Sequence, residues 1–270
     1  MKNVFTFLLL LFSLLCNGQS PKLFTTDKEL SSSLINQIYQ DRNGFIWIAT
    51  EDGLNRYDGA KFTIYKHEPN NEHSLAHNFV RTVFEDSKGH LLIGTYIGIQ
   101  MYDPATDNFT PLAKLEDTGE TLESNINSFI ERKNGEIWVS GNVLCKLDIK
   151  DHLLTVRKVD IAVTSPGSLF EDKKQNVWMA KGEEGVYQLT PDNQLTLHLS
   201  KDNGYVKSIC EDQRGNIYVG SIRKGLFIYD KERKTFVPVD LKEKGELPVC
   251  FLYSGPQNEL YIGTDGKGMS

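Results

Sequence analysis

The chain repeats one short segment six times, and this repetition limits the possible fold more than any other feature. The segment DRNGFIWIAT (41–50) recurs as DSKGHLLIGT (86–95) and DQRGNIYVGS (212–221), with looser copies RKNGEIWVSG (132–141), DKKQNVWMAK (172–181) and GPQNELYIGT (255–264). The aromatic slot of the segment falls at Trp47, Leu92, Trp138, Trp178, Tyr218 and Tyr261, in steps of 45, 46, 40, 40 and 43 residues. A period of about 40 to 45 residues with several short strands per unit predicts the blades of an all-β propeller.

Each unit is predicted to contain four antiparallel strands joined by tight turns, giving about five and a half blades. In the first unit, we expect strands at 35–40, 45–49, 54–57 and 62–65. The second strand is apolar on both faces, as expected for a strand between neighbouring blades. The units are expected at about 30–66, 75–112, 122–159, 165–199, 204–239 and 247–270. The repeated structural positions are Asp41, Gly44, Trp47, Gly53, Asp58, Asp86, Gly89, Trp138, Asp172, Trp178, Asp212 and Gly215.

The first nineteen residues have the layout of a secretory signal peptide. Lys2 precedes an apolar run from Val4 to Leu15, which is too short to cross a bilayer comfortably. A lipoprotein site at Cys16 is the alternative, but Leu15 stands where such sites prefer a small residue. Removal of this leader would accompany export of the rest of the chain, and the family resemblance described below implies the periplasm as its location.

Charge and cysteine content exclude several classes of function. The net charge of −6 argues against a nucleic-acid surface, which needs clustered lysine and arginine. Cys145, Cys210 and Cys250 form an odd, scattered set with no C-x-x-C spacing. They are predicted to be buried thiols rather than a disulfide framework or a metal site.

The repeat resembles a known family. The pattern D-x-x-G-x-[IL]-W-[IV]-[GA]-T, followed by G-[LI]-x-x-[YF]-D, is similar to the two-component regulator propeller repeat. The resemblance covers about residues 22 to 270, and it depends on six copies in phase. The inter-blade segment HEPNNEHSLAHN (67–78) also resembles the family's Ser-Leu-x-x-Asn loop.

This resemblance implies the extracytoplasmic sensor of a hybrid histidine kinase. In that family, two seven-bladed propellers and a small β-sandwich precede a transmembrane helix, a kinase, a receiver and a DNA-binding module. The chain is therefore expected to be a truncated or partial receptor that lacks the kinase, with its membrane attachment in the missing C-terminal part. The implied ligand is an oligosaccharide or related small molecule, and the implied full-length assembly is a homodimer. No cofactor is expected.

A secreted propeller enzyme, such as a polysaccharide lyase or hydrolase, is the main alternative, and a protein-interaction scaffold is a third. Paired carboxylates could serve a glycosidase. However, Asp41, Asp86, Asp172 and Asp212 share one turn slot, and Asp58, Asp103, Asp148 and Asp230 share another. A catalytic pair should break a repeat, so these residues are predicted to form turns. A sialidase Asp-box differs in spacing, because two residues separate Asp and Gly here.

Two further groups of residues contain side chains of the kind that bind metals or sugars. His67, His73 and His77 lie in one loop with Glu68 and Glu72, but their spacing matches no helical or ribbon zinc motif, so no metal site is predicted. The repeated tryptophans could stack on sugars, but their position inside a strand favours core packing.

The topology predicts where a ligand could bind. The turns between the second and third strands, and the connections between blades, share one face of the disc and vary in sequence. Binding residues concentrate on variable loops that a rigid scaffold holds in place. The candidate ligand-binding residues on this face are Glu51, Asp52, Tyr96, Lys181, Glu183, Glu184, Arg223 and Lys224.

Overall fold

The computed structural model describes residues 23–26, 29–199, 204–241 and 247–266, together with the backbone of 268–269. The signal peptide predicted over residues 1–19 lies outside these ranges. Every regular element in the described ranges is a β-strand, and the strands form six sheets that follow one another along the chain. Within the same ranges, no helix has the length and apolar character needed to span a membrane.

The six sheets are the blades, and they are numbered here in chain order. Blades one and two contain β1 (Ile35–Gln40), β2 (Ile46–Thr50), β3 (Gly53–Tyr57), β4 (Phe62–Tyr65), β5 (Val80–Glu85), β6 (Leu91–Thr95), β7 (Ile99–Asp103) and β8 (Asn108–Phe109). Blades three and four contain β10 (Ser128–Glu131), β11 (Ile137–Ser140), β12 (Leu144–Lys150), β13 (Leu153–Lys158), β14 (Leu169–Glu171), β15 (Val177–Lys181), β16 (Gly185–Leu189) and β17 (Leu195–Leu199). Blades five and six contain β18 (Val206–Glu211), β19 (Ile217–Ser221), β20 (Gly225–Asp230), β21 (Thr235–Pro238), β22 (Val249–Ser254), β23 (Leu260–Thr264) and β24 (Gly268–Met269). The remaining strand, β9 (Lys114–Leu115), joins blade three by pairing in parallel with β13.

The blades are arranged around a common centre. The first strand of each blade contacts the first strand of the next, from β1 through β5, β10, β14 and β18 to β22. Apolar clusters fill the space between successive blades. Trp47 on β2, for example, packs with Val83 and Ile93 of the next blade, and all three are at most 1% exposed. The all-β propeller predicted from the repeat is therefore the fold of this chain.

The tryptophan slot lies in these inter-blade cores. Trp47, Trp138 and Trp178 are 0%, 3% and 1% exposed, so none of them presents a ring to a ligand. Trp178 stands edge-on to Tyr229 and Phe236 of blade five, with ring centroids 5.1 Å and 5.8 Å away. Burial of large aromatic rings at this repeated position seals one blade against the next.

Blade three departs from the predicted turn pattern. Asp148 was expected to form a turn, but it lies within β12, exposed and paired with Thr155 of β13. The chain reverses instead at Asp151 and His152, whose φ angles are 48° and 63°. Positive φ at two consecutive residues is the geometry of a type I′ hairpin turn, which suits the twist of the flanking strands. The Asp148 prediction is therefore wrong, because the strand continues beyond the repeated slot.

A glutamate at the end of the first strand connects each of four blades to the blade before it. These four glutamates are here called the clamp glutamates, and they are Glu85, Glu131, Glu171 and Glu211. Each accepts a hydrogen bond from a backbone N–H of the preceding blade, that of the residue directly after the repeated turn position. The donors are Arg42, Ser87, Lys133 and Lys173, at N···O distances of 2.8, 2.6, 2.7 and 3.1 Å. The same bond recurs at each of these four joints because the glutamate and the turn recur at the same spacing along the chain.

The three described cysteines have different environments. Cys145 and Cys210 are 1% and 8% exposed, whereas Cys250 is only partly buried. Burial raises the pKa of the Cys145 thiol to about 11 and that of Cys210 to about 12. The prediction of buried thiols thus holds for two of these residues and not for Cys250.

We expect iodoacetamide at pH 8 to modify Cys250 in the native chain and to leave Cys145 and Cys210 intact. The thiolate is the reactive form, and a pKa of about 11 leaves only about one thiol in a thousand ionised at this pH. Peptide mass spectrometry after timed labelling measures each site separately, and labelling in urea supplies the unfolded control. Native modification of Cys145 as fast as in urea would contradict the packing described here.

Candidate ligand-binding site

The first strand of a blade carries an irregularity at its start. Register shifts are present in β1, β5, β18 and β22, each of which places one extra residue opposite the neighbouring strand. The extra residues are Asn36, Arg81, Lys207 and Cys250. A β-bulge redirects its side chain away from the regular alternation of the strand, and such bulges are common beside binding sites.

Asn127 and Gly167 occupy the corresponding positions in blades three and four, directly before Ser128 and Ser168. Asn127 donates its N–H to the Ser140 carbonyl at 2.8 Å, and Gly167 donates to the Ala180 carbonyl at 2.8 Å. The complete set, here called the bulge ring, is Asn36, Arg81, Asn127, Gly167, Lys207 and Cys250. Its members follow one another in the same steps as the aromatic slot.

The bulge ring surrounds a cavity of about 570 Å³ at the centre of the blades. The next residue along each blade lines the same cavity and forms a second ring, which consists of Gln37, Thr82, Ser128, Ser168, Ser208 and Phe251. Gly182 and Ile222, from turns between second and third strands, reach the cavity as well. The cavity therefore opens on the face of the disc that carries the variable turns between second and third strands, here called the variable face. Its volume lies within the range of small-molecule sites, about 300–1,000 Å³.

Hydrogen bonds between blades fix several polar side chains of the cavity wall. Asn36 donates from Nδ2 to the Val80 carbonyl at 2.7 Å, and Gln37 Oε1 accepts the Val83 N–H at 2.7 Å. Asn127 donates from Nδ2 to a carbonyl of the following blade at 3.0 Å. Each amide uses one end to join two blades, and this contact orients the side chain before any ligand arrives.

Two aromatic rings border this polar wall. Tyr205 and Phe251 line the cavity and are 42% and 57% exposed, unlike the buried tryptophans of the repeat. An exposed ring beside amide and hydroxyl groups offers an apolar face together with hydrogen-bond partners. Sugars present the same combination, with C–H groups on one side and hydroxyls around the edge.

The repeated aspartates have a different role. Asp41 accepts the N–H groups of Asn43 and Phe45 through Oδ1, both at 2.9 Å, and the Trp47 indole N–H through Oδ2 at 2.8 Å. Asp172 makes the same set of bonds, including one from the Trp178 indole at 2.9 Å. These carboxylates satisfy the backbone of their own turns, which leaves them unavailable as a catalytic pair.

Asp212 shows the electrostatic result of this geometry. Burial alone would raise the pKa of its carboxyl, but hydrogen bonds from Asn216 and the Arg214 backbone hold the pKa below its ordinary value. Asn216 donates both its backbone N–H and its Nδ2 group, each at 2.8 Å. A carboxylate stabilised in this way stays ionised and does not serve as a proton donor near neutral pH.

The eight candidate residues on the variable face are spread over separate turns, and none of them lines the cavity. Several instead form ion pairs on the rim. Arg223 lies 3.0 Å from Glu183, and Lys181 lies 2.7 Å from Glu184. The hydrogen bond from Lys181 holds the pKa of Glu184 below its ordinary value.

The remaining candidates lie on the turns of blades one, two and five. Asp52 accepts Lys66 Nζ at 2.6 Å and Asn78 Nδ2 at 3.1 Å, which connects its turn to the inter-blade loop. Glu51 precedes it in the same turn. Tyr96 is 54% exposed and its ring lies 5.6 Å from that of His77. Lys224 donates its N–H to Ser221 at 3.2 Å.

The histidines of the loop at 67–78 do not form a metal centre. His67 and His73 place Nδ1 within 3.0 and 3.1 Å of the Leu75 and Phe109 carbonyls, and His77 Nδ1 accepts the Phe79 N–H at 2.9 Å. Among the described residues, no group of histidine, cysteine or carboxylate side chains could hold a metal ion.

Reasoning from the sequence selected the face on which the cavity opens and did not identify the residues that line the cavity. The signal was present as a repeated position with changing residues, which reads Asn, Arg, Asn, Gly, Lys and Cys along the chain. It was hidden because the position lies inside the predicted first strand, where variation suggests nothing more than packing. The structure shows that this position borders the central cavity in all six blades and carries a bulge in four of them.

Comparison with known proteins agrees with the propeller fold. The sequence profile of the two component regulator propeller matches residues 29–52, 74–96 and 200–223. A histidine kinase, P4, from Formosa agariphila is 37% identical over 83 residues, which cover 28% of this chain and 6% of that protein. The chain therefore spans a small part of the length of this relative.

Solved structures share the fold. The extracellular domain assigned to a one component system of B. thetaiotaomicron superposes with a TM-score of 0.72 and 18% identity, over 93% of this chain and 36% of that one. A second extracellular domain from the same organism, assigned to a hybrid two component system, superposes with a TM-score of 0.59 and 19% identity. The match covers 92% of this chain and 41% of that one. Virginiamycin B lyase from Staphylococcus aureus superposes with a TM-score of 0.66 and 12% identity, over 90% of this chain and 80% of that one.

Proposed function

The chain carries the two-component regulator propeller repeat, and on that premise we propose that it is the ligand-sensing propeller of a two-component sensor. The central cavity is the proposed binding site, and a carbohydrate is the proposed ligand. The observation that carries this proposal is the composition of the cavity wall, where the exposed side chains of Tyr205 and Phe251 lie beside amide and hydroxyl side chains from successive blades. Such sites combine apolar surface with a few placed polar groups.

The proposed location is outside the cytoplasm. Its support is the signal-peptide pattern at the N-terminus together with the extracellular domains that share the fold. In the intact receptor, we expect binding to alter the geometry of a homodimer and so to regulate a kinase carried elsewhere in the protein. The propeller itself then binds and does not catalyse.

A propeller enzyme remains the competing function, because a lyase shares the fold. A glycosidase of the usual kind needs two carboxyl groups about 5 to 9.5 Å apart on either side of the bond it cleaves. None of the described residues that line the central cavity is an aspartate or glutamate. This composition favours binding over hydrolysis at that place, and product analysis after incubation with polysaccharides tests the alternative directly.

We expect Cys250→Trp to weaken oligosaccharide binding by at least about tenfold, which corresponds to about 1.4 kcal/mol. The larger side chain would occupy the bulge position and reduce the cavity. Isothermal titration calorimetry with a panel of oligosaccharides measures the affinity, and circular dichroism checks that the variant is folded.

The matched control is the double variant Glu183→Ala and Arg223→Ala, which removes an exposed ion pair from the rim. It should bind as tightly as the unaltered chain. Loss of binding in the rim variant with normal binding in Cys250→Trp would move the site from the cavity to the turns. In the unaltered chain, bound ligand should also slow labelling of Cys250, a readout that requires no substitution.

A further inference from the structure

The central cavity is electropositive in an acidic protein. The chain has a net charge of −6, yet the charged side chains among the described residues that line the cavity are Arg81 and Lys207. A cavity with walls of low dielectric constant concentrates the field of the charges that it contains. The two cations therefore favour a ligand that carries negative charge.

Both cations occupy the bulge ring. Arg81 comes from blade two and Lys207 from blade five, so three steps around the ring separate them. Blades three and four place Asn127 and Gly167 at the same position, neither of which carries a charge. Since this position is repeated while its residues change, the two cations are not required by the repeat itself.

Arg81 is partly held in place. Its guanidinium lies 5.8 Å from the centre of the Phe79 ring, a cation–π arrangement that limits the motion of the side chain. Arginine presents a planar set of donors that matches the two oxygens of a carboxylate or sulfate. Lys207 is exposed and carries a more flexible point charge.

We propose that the cavity binds a saccharide bearing a carboxylate or sulfate group, with Arg81 and Lys207 as the residues that select for this charge. This inference rests on the proposed function, since it specifies the chemical class of the ligand at the same site. The amides and hydroxyls of the two rings would contact the sugar hydroxyls. The cations would distinguish the acidic sugar from a neutral one of the same size.

The test compares three sets of oligosaccharides of equal length: neutral, uronate-containing and sulfated. Calorimetry on the full chain should give tighter binding to at least one acidic set. Arg81→Gln and Lys207→Met should each weaken that binding by about tenfold or more, as expected for loss of a charge-assisted hydrogen bond. Binding of the acidic set should also weaken as salt increases, because salt screens accessible charges.

Lys61→Met serves as the matched control, because it removes an exposed lysine from a turn on the opposite face. It should leave the affinity unchanged. Which acidic set binds identifies the anionic group. Equal affinity for neutral and acidic sugars, with no effect of either substitution at the bulge ring, would overturn the inference and leave the proposed function standing. Failure of all three sets to bind would count against the proposed function itself.

Discussion

Replacing Trp178 with alanine is expected to lower the free energy of unfolding by about 3–5 kcal/mol, the usual cost of removing a large buried aromatic side chain. The side chain is 1% exposed and belongs to the apolar cluster between blades four and five. Its removal would also leave Asp172 Oδ2 without the indole hydrogen bond of 2.9 Å. The site has little freedom to collapse, because strands on both sides hold the surrounding residues.

Trp178→Phe separates these two contributions. Phenylalanine retains most of the apolar contact and loses the indole N–H, so the expected cost falls to about 1–2 kcal/mol. Tyr253→Ala is the control for an aromatic residue outside the core, since Tyr253 is 54% exposed, and it should change stability by less than about 0.5 kcal/mol. Urea denaturation followed by circular dichroism measures all three variants. A loss below about 1 kcal/mol in Trp178→Ala would contradict the sealing role of this ring.

The fold was predictable because the repeat supplies the same information six times. Strands expected at 35–40 and 62–65 are β1 and β4 without change, and the second strand is displaced by one residue, from 45–49 to Ile46–Thr50. Hydrophobic pattern and turn chemistry agree in the regular units, and consistent local signals specify a fold well. Where a unit loses its turn signal, as at Asp148, the prediction failed.

The candidate site was less predictable, because its residues depend on a backbone irregularity. A bulge at Arg81 or Lys207 leaves no mark in the hydrophobic pattern, and the strand reads as an ordinary inner strand. Exposed charges such as Glu183 and Arg223 stand out in the sequence, yet the structure pairs them with each other on the rim. The charges visible in the sequence therefore lie on the rim, whereas the variable position within the first strand lies at the cavity.

The clamp glutamates could have been found from the sequence and were not. Glu85, Glu171 and Glu211 each precede the repeated aspartate, and Glu131 precedes Arg132 at the same slot. A charged residue at the end of an inner strand suggests an exposed position when the neighbouring blade is ignored. In the structure, its acceptor oxygens face the turn of that neighbour, and so the residue belongs to the joint between two repeats.

The strongest of these joints is expected at Glu171. Its Oε1 lies 2.8 Å from Arg132 Nε and its Oε2 accepts the Lys133 N–H at 2.7 Å. The two charged side chains are only 7% and 13% exposed. Because Glu171→Ala would leave a largely buried guanidinium and a backbone N–H without this acceptor, the expected loss of unfolding free energy is about 3 kcal/mol. Glu171→Gln keeps an acceptor and removes the charge, so about 1–2 kcal/mol is expected.

Glu131 offers the matched comparison, since it holds the same position and bonds to Ser87 through the backbone N–H and the hydroxyl group, at 2.6 and 2.5 Å. Its partner is neutral, and Glu131→Ala should therefore cost only about 1 kcal/mol. A double-mutant cycle of Glu171→Ala with Arg132→Met isolates the charged pair. We expect a coupling energy of about 1–3 kcal/mol, measured by urea denaturation. Strictly additive effects, or equal losses at Glu171 and Glu131, would show that the buried ion pair adds nothing to the shared hydrogen bond between blades.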